Sequence, residues 1–347
     1  MTPTSTLPST PSRTRVAITT GDPAGIGPEL VAILLTEIAG NEAQPVVVFS
    51  TLDELDRGFA QAGSQADRDA VDRASNIELV DTGLDFGGMP MAEASERGGR
   101  WALDHLEFAL SAYERGEAQA VMFAPLNKSS LHLAGMHEMD ELRWFEKRLG
   151  VTGVVSELNA ITGLWTSRVT SHVSHRDAPA QITAEKVHAV AALLNAYLIG
   201  SGVAQPRLAI CALNPHGGEN GKFGTEEIDE IVPGVALAQN AGINAVGPFP
   251  ADTLFLRARD GEFDGVVTMY HDQGQIAMKM IGFDGGVTVE GGLGVAVCTP
   301  AHGTAFDRVG QGSASVTSTR NAYLLARSLA CTSTSLTVAV AAPAAVS

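Results

Sequence analysis

The chain has 347 residues, 45% of them hydrophobic and 18% charged, a length and composition that indicate a folded protein of two packed α/β lobes. Its 39 acidic and 23 basic residues give a formal net charge of -16, which argues against nucleic acid or an anionic membrane as a partner. No apolar stretch is long enough for a transmembrane helix, and three scattered cysteines without a CxxC pair predict reduced thiols in a cytoplasmic protein.

Short β-branched runs alternate with helical patterns along the chain. Apolar residues recur every three or four positions over residues 28–38 and 183–198, which predicts a helix in each range, the second with Thr183 as its N-cap. This alternation predicts a parallel sheet with helices on its faces and functional residues at the carboxyl ends of the strands. The predicted strands are "RVAIT", "PVVVFS", "NIELV", "AVMFAP", "RLAICAL" and "GVVTMY".

The distribution of polar motifs predicts the domain organisation. These motifs are dense between residues 126 and 294, which indicates a second α/β lobe of residues 126–294, inserted into a first lobe of residues 14–125 and 295–335. Residues 1–13 and 336–347 lack regular apolar patterning, so we expect both ends to be loose tails.

A glycine-containing loop, "TTGDPAGIGPEL", follows the first strand. It lacks the third glycine of the Rossmann fingerprint, and the next strand lacks the acidic residue that would hold a ribose, so an ordinary Rossmann site is excluded. A tight turn remains, with Pro28 at the first helical position. The turn either has a purely structural role or presents free amides and Asp22 to a ligand.

Three histidines, His172, His216 and His271, follow predicted strands of one sheet. If their neutral imidazoles converge, they form an open metal site; alternatively, each is a satisfied polar residue at a strand tip. Asp272 could orient an imidazole or transfer protons, and Lys279 on the helical segment that follows could reach the same cleft. The long spacing between the histidines carries no local signature, so both interpretations stay open.

Taken together, the motifs resemble the 4-hydroxythreonine-4-phosphate dehydrogenase family of vitamin B6 biosynthesis and its catabolic relatives. The resemblance runs in the family's order from residue 16 to about residue 330. The segments that carry it are "ITTGDPAGIGPEL", "SHVSHRDAP", "LNPHGGENGKFGTEEID", "GPFPADTLF", "YHDQGQIAMKMIGF" and "TPAHGTAFDRVGQG".

The resemblance implies a two-lobed α/β/α fold like that of isocitrate and isopropylmalate dehydrogenases, in a homodimer whose cleft the partner subunit completes. It implies that His172, His216 and His271 bind one divalent metal ion (Zn, Mn, Co or Mg) and that Lys279 contacts substrate. The "HGTAFD" loop resembles the segment that holds the adenosine part of NAD (or NADP) in this superfamily. The implied cofactor-binding residues are His302, Gly303, Thr304 and Asp307.

The implied chemistry is oxidation of an alcohol carbon. Hydride passes to nicotinamide, while Asp272 or Lys279, acting through water, accepts the hydroxyl proton. A metal would polarise the new ketone and, where that ketone lies β to a carboxylate, stabilise the enolate left by decarboxylation. We therefore expect oxidation of the secondary hydroxyl of a small hydroxy acid, followed by loss of carbon dioxide.

The chain departs from the family at positions that contact substrate. Residues 140–143 replace a Gly-His-Thr-Glu motif, Val297 replaces an arginine and Thr288 an asparagine. Catalytic residues are kept and specificity residues changed, which argues against the vitamin B6 substrate. The segment "GGVTVEGGLGV" instead resembles the catabolic branch, which implies a substrate such as 4-phospho-D-threonate or a carboxylated dihydrodiol. The predicted contacts of this small anionic substrate are Lys128, Glu141, Arg143, Thr288 and Lys279.

Two alternative functions compete with a dehydrogenase. A metal-dependent hydrolase would also use three histidines, but it gives no role to "AHGTAFD". A catalytically silent homologue would explain the lost Gly-His-Thr-Glu motif, but the predicted metal ligands, Asp272 and Lys279 are all kept. The dehydrogenase therefore ranks first, the silent homologue second and the hydrolase third.

Overall fold

The computed structural model describes residues 14–282 and 284–331, and within these ranges the chain forms one eleven-stranded sheet covered by helices. Both predicted tails lie outside the described residues. The strands are β1 Val16–Thr19, β2 Val46–Ser50, β3 Ile77–Asp81, β4 Ala120–Phe123, β5 Ser156–Ile161, β6 Leu164–Arg168, β7 Leu208–Cys211, β8 Ala245–Phe249, β9 Gly265–Thr268, β10 Val287–Gly291 and β11 Ala296–Pro300.

Polar N-caps set the beginnings of α2 to α7. In each, a Ser, Thr, Asp or Asn side chain accepts a hydrogen bond from a backbone N–H of the first turn, including the predicted cap Thr183. A π-helix, Glu227–Ile231, leads into α8. The α-helices are α1 Gly27–Ile38, α2 Leu52–Ala62, α3 Arg68–Asp72, α4 Glu96–Glu114, α5 Lys128–Leu133, α6 Glu141–Leu149, α7 Ala184–Gly200, α8 Val232–Asn240, α9 Ala251–Arg259, α10 His271–Gly282 and α11 Thr317–Ala330.

The sheet is parallel on both sides and antiparallel at its centre. The strand order is β3-β2-β1-β4-β11-β10-β5-β6-β9-β7-β8, and the pairs β11-β10, β10-β5 and β5-β6 are antiparallel. The prediction of an all-parallel sheet is therefore wrong at the centre. The β5-β6 and β10-β11 connections are too short for a crossover helix and turn through glycines with positive φ, which produces hairpins.

Helices cover both faces of the sheet. Val16 and Ile18 belong to the core cluster that contains α1, α7 and α11, whereas Ala17 belongs to the cluster that contains α4 and α6. Alternate residues of β1 thus face opposite layers, and both faces are buried, which explains why β1, β2 and β4 are nearly continuous apolar runs. Within the described ranges, no helix is long and apolar enough to cross a bilayer.

All six predicted strands and both predicted helices are present, and the predicted α/β class is confirmed. Five strands were not predicted: β5, β6, β8, β10 and β11. Strands β1 to β4 and β11 carry the predicted first lobe, and β5 to β10 carry the second. One sheet runs through both, so the division into lobes stays a prediction.

Candidate active site

A cleft of about 470 Å³ opens beside the antiparallel centre of the sheet, where β5, β10 and β11 meet α10. Residues from widely separated parts of the chain line it. Those that the sequence predicted are Lys128, Glu141, His172, His271, Lys279, Thr288, His302 and Gly303.

The spacing of residues on α10 decides what this helix presents to the cleft. His271, Gln275 and Lys279 are four residues apart, so they share one helix face, and all three line the cleft. The Gln275 side-chain amide donates to Asn159 Oδ1 on β5 at 2.6 Å, which holds the helix against the sheet. Asp272 follows His271 directly and is rotated from it by about 100° around the helix axis, and it does not line this cleft.

Two imidazoles in the cleft are each backed by a carboxylate. Asp140 Oδ2 lies 2.7 Å from His172 Nδ1, and Asp272 Oδ1 lies 2.7 Å from His271 Nδ1. Burial raises the pKa of Asp140, but hydrogen bonds from His172 and the Arg143 amide outweigh it and hold that pKa below its ordinary value. The hydrogen bond to His271 likewise lowers the pKa of Asp272. Each Nε2 is left as the nitrogen available to a ligand.

The spacing of these imidazoles suits a shared metal ion. The ring centroids of His172 and His271 are 5.8 Å apart, with an angle of 37° between the planes. Two imidazoles on one tetrahedral metal, with metal–nitrogen bonds of about 2 Å, have centroids roughly 5 Å apart. The carboxylate on each Nδ1 is the usual support of a metal-binding histidine. The pair therefore fits two ligand positions of a divalent metal site.

His216 lies outside the cleft of its own chain. It is exposed, on a segment after β7 in left-handed backbone conformation, with φ 54°. The buried carboxylate of Glu227 anchors this segment by accepting hydrogen bonds from the amides of Leu213 and Asn214 at 2.8 and 2.7 Å. Within the described ranges, no cluster of three His, Cys, Asp or Glu residues forms a complete metal site. The role of His216 as a third ligand stays a prediction.

The loop that resembles a cofactor-binding segment packs on the glycine turn after β1. The Ile26 amide donates to the Thr304 carbonyl at 3.1 Å, and a Cβ on Gly25 would lie 2.8 Å from Thr304 Cβ. Asp22 is buried and its Oδ1 accepts a hydrogen bond from the Ala24 amide at 2.9 Å. The geometry supports the structural interpretation of this turn, which packs against the loop that contains Thr304 and does not line the cleft.

The predicted cofactor residues divide into two groups. His302 and Gly303 line the cleft, and burial lowers the pKa of His302. Thr304 is buried behind them, whereas Asp307 is exposed and does not line the cleft. Their assignment to a dinucleotide stays a prediction.

Of the predicted substrate contacts, all but Arg143 line the cleft. Lys128 Nζ lies 3.9 Å from Glu141 Oε2 in the cleft, and Thr288 Oγ1 accepts a hydrogen bond from Asn159 Nδ2 at 3.2 Å. Arg143 lines a separate hollow of about 250 Å³, where its guanidinium pairs with Glu146 at 2.7 Å. Arg143 follows Glu141 by two residues on α6, which is a rotation of about 200° around the helix axis. The two side chains therefore point to different sides of the helix.

Several polar residues of the cleft were not predicted from the sequence. The signal was present as period-two polarity in "SELNAI" and "VTVEG", where polar residues alternate with apolar ones in strands that are otherwise buried. The unpredicted residues that line the cleft are Asp140, Glu157, Asn159, Gln275 and Glu290.

Comparison with known proteins identifies the family. The family model described as pyridoxal phosphate biosynthetic protein PdxA matches residues 41–326. The chain belongs to the PdxA family. It is 47% identical to a Pseudomonas aeruginosa protein provisionally named 4-hydroxythreonine-4-phosphate dehydrogenase 2, over 91% of this chain and 97% of the relative. It is 35% identical to the D-threonate 4-phosphate dehydrogenase of Salmonella typhimurium, over 91% and 98%.

A solved member of the PdxA family has the same fold. The crystal structure of 4-hydroxythreonine-4-phosphate dehydrogenase from Klebsiella pneumoniae aligns with a TM-score of 0.77 and 33% identity, covering 93% of this chain and 99% of that one. These relatives confirm the predicted family and the predicted class of enzyme, a dehydrogenase acting on CH–OH groups.

Proposed function

We propose that this PdxA-family chain is a metal-dependent NAD(P) dehydrogenase that oxidises the secondary hydroxyl of a small phosphorylated hydroxy acid, with decarboxylation of the keto acid. The observation that carries the proposal is the pair of carboxylate-backed imidazoles, His172 and His271, in a cleft that also contains Lys279. The names of the relatives support the substrate class, because they act on 4-hydroxythreonine 4-phosphate and D-threonate 4-phosphate.

The side chains of the cleft have distinct roles in this proposal. Lys128 offers an ammonium group to an anionic end of the substrate, and Lys279 contacts the substrate at the hydroxyl that is oxidised. Asp272 keeps the His271 ring in one orientation, because its carboxylate is bonded to Nδ1 on the side away from the cleft. Of the two predicted proton acceptors, Lys279 is the one that lines the cleft, and water between it and the substrate hydroxyl would complete the transfer.

Different residues of the cleft would hold the metal ion and the nicotinamide cofactor. His172 and His271 would hold a divalent metal, which when bound polarises the hydroxyl and the ketone that forms from it. His302 and Gly303, which also line the cleft and belong to the loop packed against Gly25, would hold NAD or NADP.

We also propose that the enzyme is a cytoplasmic homodimer in which His216 of one copy completes the cleft of the other. His216 is exposed on an anchored loop and does not reach its own cleft. Exposed apolar side chains follow it at Phe223, Ile228 and Val232, the last two on one helical face. An apolar surface of this kind beside a polar functional residue is typical of an interface between subunits.

The activity is tested by nicotinamide reduction with added divalent metal, across phosphorylated threonate, phosphorylated hydroxythreonine, isopropylmalate-like acids and carboxylated dihydrodiols. Turnover of a phosphorylated hydroxy acid that chelation abolishes is the expected result. Hydrolysis of a substrate without nicotinamide would favour the hydrolase, and binding of metal and NAD without turnover of any compound would favour the silent homologue.

The shared cleft is tested by mixing two inactive variants, H216A and K279A, after unfolding and refolding them together. Half of the dimers are then mixed, and each has one cleft free of both changes, so about a quarter of the wild-type activity should return. No recovery above the separate variants, in a sample shown to be dimeric, would place both residues in the cleft of one chain.

A further inference from the structure

Glu290 is an ionisable residue at the floor of the cleft for which the proposed function has no role. It lies on β10 and is 4% exposed, yet it lines the cleft. In the antiparallel β10-β5 ladder it stands directly opposite Glu157. Like charges in directly opposed positions destabilise a sheet, so two acids at this point need a reason other than stability.

The nearest cation is already occupied by other partners. The guanidinium of Arg168 forms an ion pair with Glu157, and it donates to Asn159 Oδ1 at 3.1 Å and to Ser171 Oγ at 2.9 Å. In the described parts of the chain, Glu290 Oε2 is buried without a hydrogen-bond partner. A buried carboxylate oxygen without a partner is costly. Of the three in the described residues, at Asp22, Glu29 and Glu290, only that of Glu290 belongs to a residue that lines the cleft, where a ligand can supply the missing donor.

A second acid faces the same space. Glu141, the first residue of α6, lines the cleft, and its nearest cation, Lys128, is 3.9 Å away and half exposed. Burial raises the pKa of Glu141, and burial together with Glu157 and Glu141 raises the pKa of Glu290 well above its ordinary value. Without a ligand, this wall of the cleft holds more carboxyl groups than cations to balance them.

We propose that Glu290 and Glu141 form a subsite for an ammonium group of the substrate, and that Glu290 is the residue that selects an amino hydroxy acid over its hydroxy counterpart. An ammonium group brings three donors and a positive charge, so it satisfies the unpartnered oxygen and balances both acids. A hydroxyl brings one donor and no charge, and a phosphate oxygen would be repelled.

This subsite deepens the proposed function and rests on it. The two substrates named for the relatives differ in the feature that the subsite would read, because 4-hydroxythreonine 4-phosphate carries an amino group where D-threonate 4-phosphate carries a hydroxyl. The subsite favours the amino compound. It therefore opposes the expectation of a phosphorylated sugar acid, which rested on the replaced substrate contacts and on the resemblance of the segment around Glu290 to the catabolic branch.

The test is E290Q, which keeps the size and an acceptor but removes the charge. The loss of one charge-assisted hydrogen bond should raise KM for 4-hydroxythreonine 4-phosphate by about 10- to 100-fold, with KM for D-threonate 4-phosphate changed by less than about threefold. E290D, which keeps the charge, should restore part of the preference. The matched control is E117Q, because Glu117 is exposed and pairs with Arg115 at 2.7 Å.

Calorimetric binding of both compounds to metal-loaded protein without nicotinamide separates this proposal from the proposed function. Selective loss of the amino compound in E290Q supports the subsite even if the wild type turns over neither compound. Equal losses for both compounds, or no loss for either, would overturn it. A wild type that binds neither compound would overturn the subsite and the proposed substrate class together.

Discussion

The buried histidine His105 allows a quantitative prediction of how stability depends on pH. It lies on α4 with no exposed surface, its Nδ1 is 2.8 Å from the Trp101 carbonyl, and its Nε2 is 3.3 Å from Thr82 Oγ1. The carbonyl can only accept, so Nδ1 donates and the neutral ring is satisfied on both sides. Burial lowers the pKa of His105 from 6.5 to about 4.

The sign and size of the effect follow from that shift. Well above pH 6.5 the ring is neutral in the folded and the unfolded chain, so His105 contributes no pH dependence there. As pH falls from about 6.5 to about 4, the unfolded chain binds a proton that the folded chain excludes, and stability is lost. The loss through this one group is about 2 kcal/mol at pH 5 and about 3.4 kcal/mol once pH is well below 4.

The assay is urea unfolding followed by circular dichroism at about pH 7 and about pH 5, at constant protein concentration and ionic strength. H105N keeps an N–H near the Trp101 carbonyl but cannot titrate, so its free energy of unfolding should fall by about 2 kcal/mol less than that of the wild type between the two pH values. The exposed His137 provides the control, H137N. A difference below about 0.5 kcal/mol between wild type and H105N would refute the reasoning.

Two further predictions concern the cleft. D140N keeps an N-cap for α6 but removes the negative charge beside His172 Nδ1. Affinity for divalent metal should therefore fall by about 10- to 100-fold in a competition assay with a metal-binding dye. An unchanged affinity would contradict metal binding by His172. G25A should raise KM for the nicotinamide cofactor without changing metal affinity, because the new Cβ would lie 2.8 Å from Thr304 Cβ and displace the loop that contains Thr304. An unchanged KM would show that this loop does not bind the cofactor.

The strands and helices that could be predicted from the sequence are those whose signals are local. β1, β2, β4, β7 and β9 are short apolar runs buried on both faces, and β3 is a partly buried strand at the edge of the sheet. Apolar periodicity marks α1 and α7, with a polar N-cap for α7. Apolar runs, periodicity and caps can be recognised in a single sequence because each depends on residues within about ten positions of one another. The family resemblance added the long-range grouping of motifs, and the cleft contains most of the residues that it indicated.

Which side chains come into contact depends on the three-dimensional fold. The antiparallel β10-β5 ladder sets Glu290 opposite Glu157, a pairing that depends on the register between two strands far apart in the sequence. The same folding brings His172 within 5.8 Å of His271 and leaves His216 outside, although all three follow strands of one sheet. Strand ends predict the edge of the sheet at which a residue lies, but the loop conformation after each strand determines whether its side chain reaches the cleft.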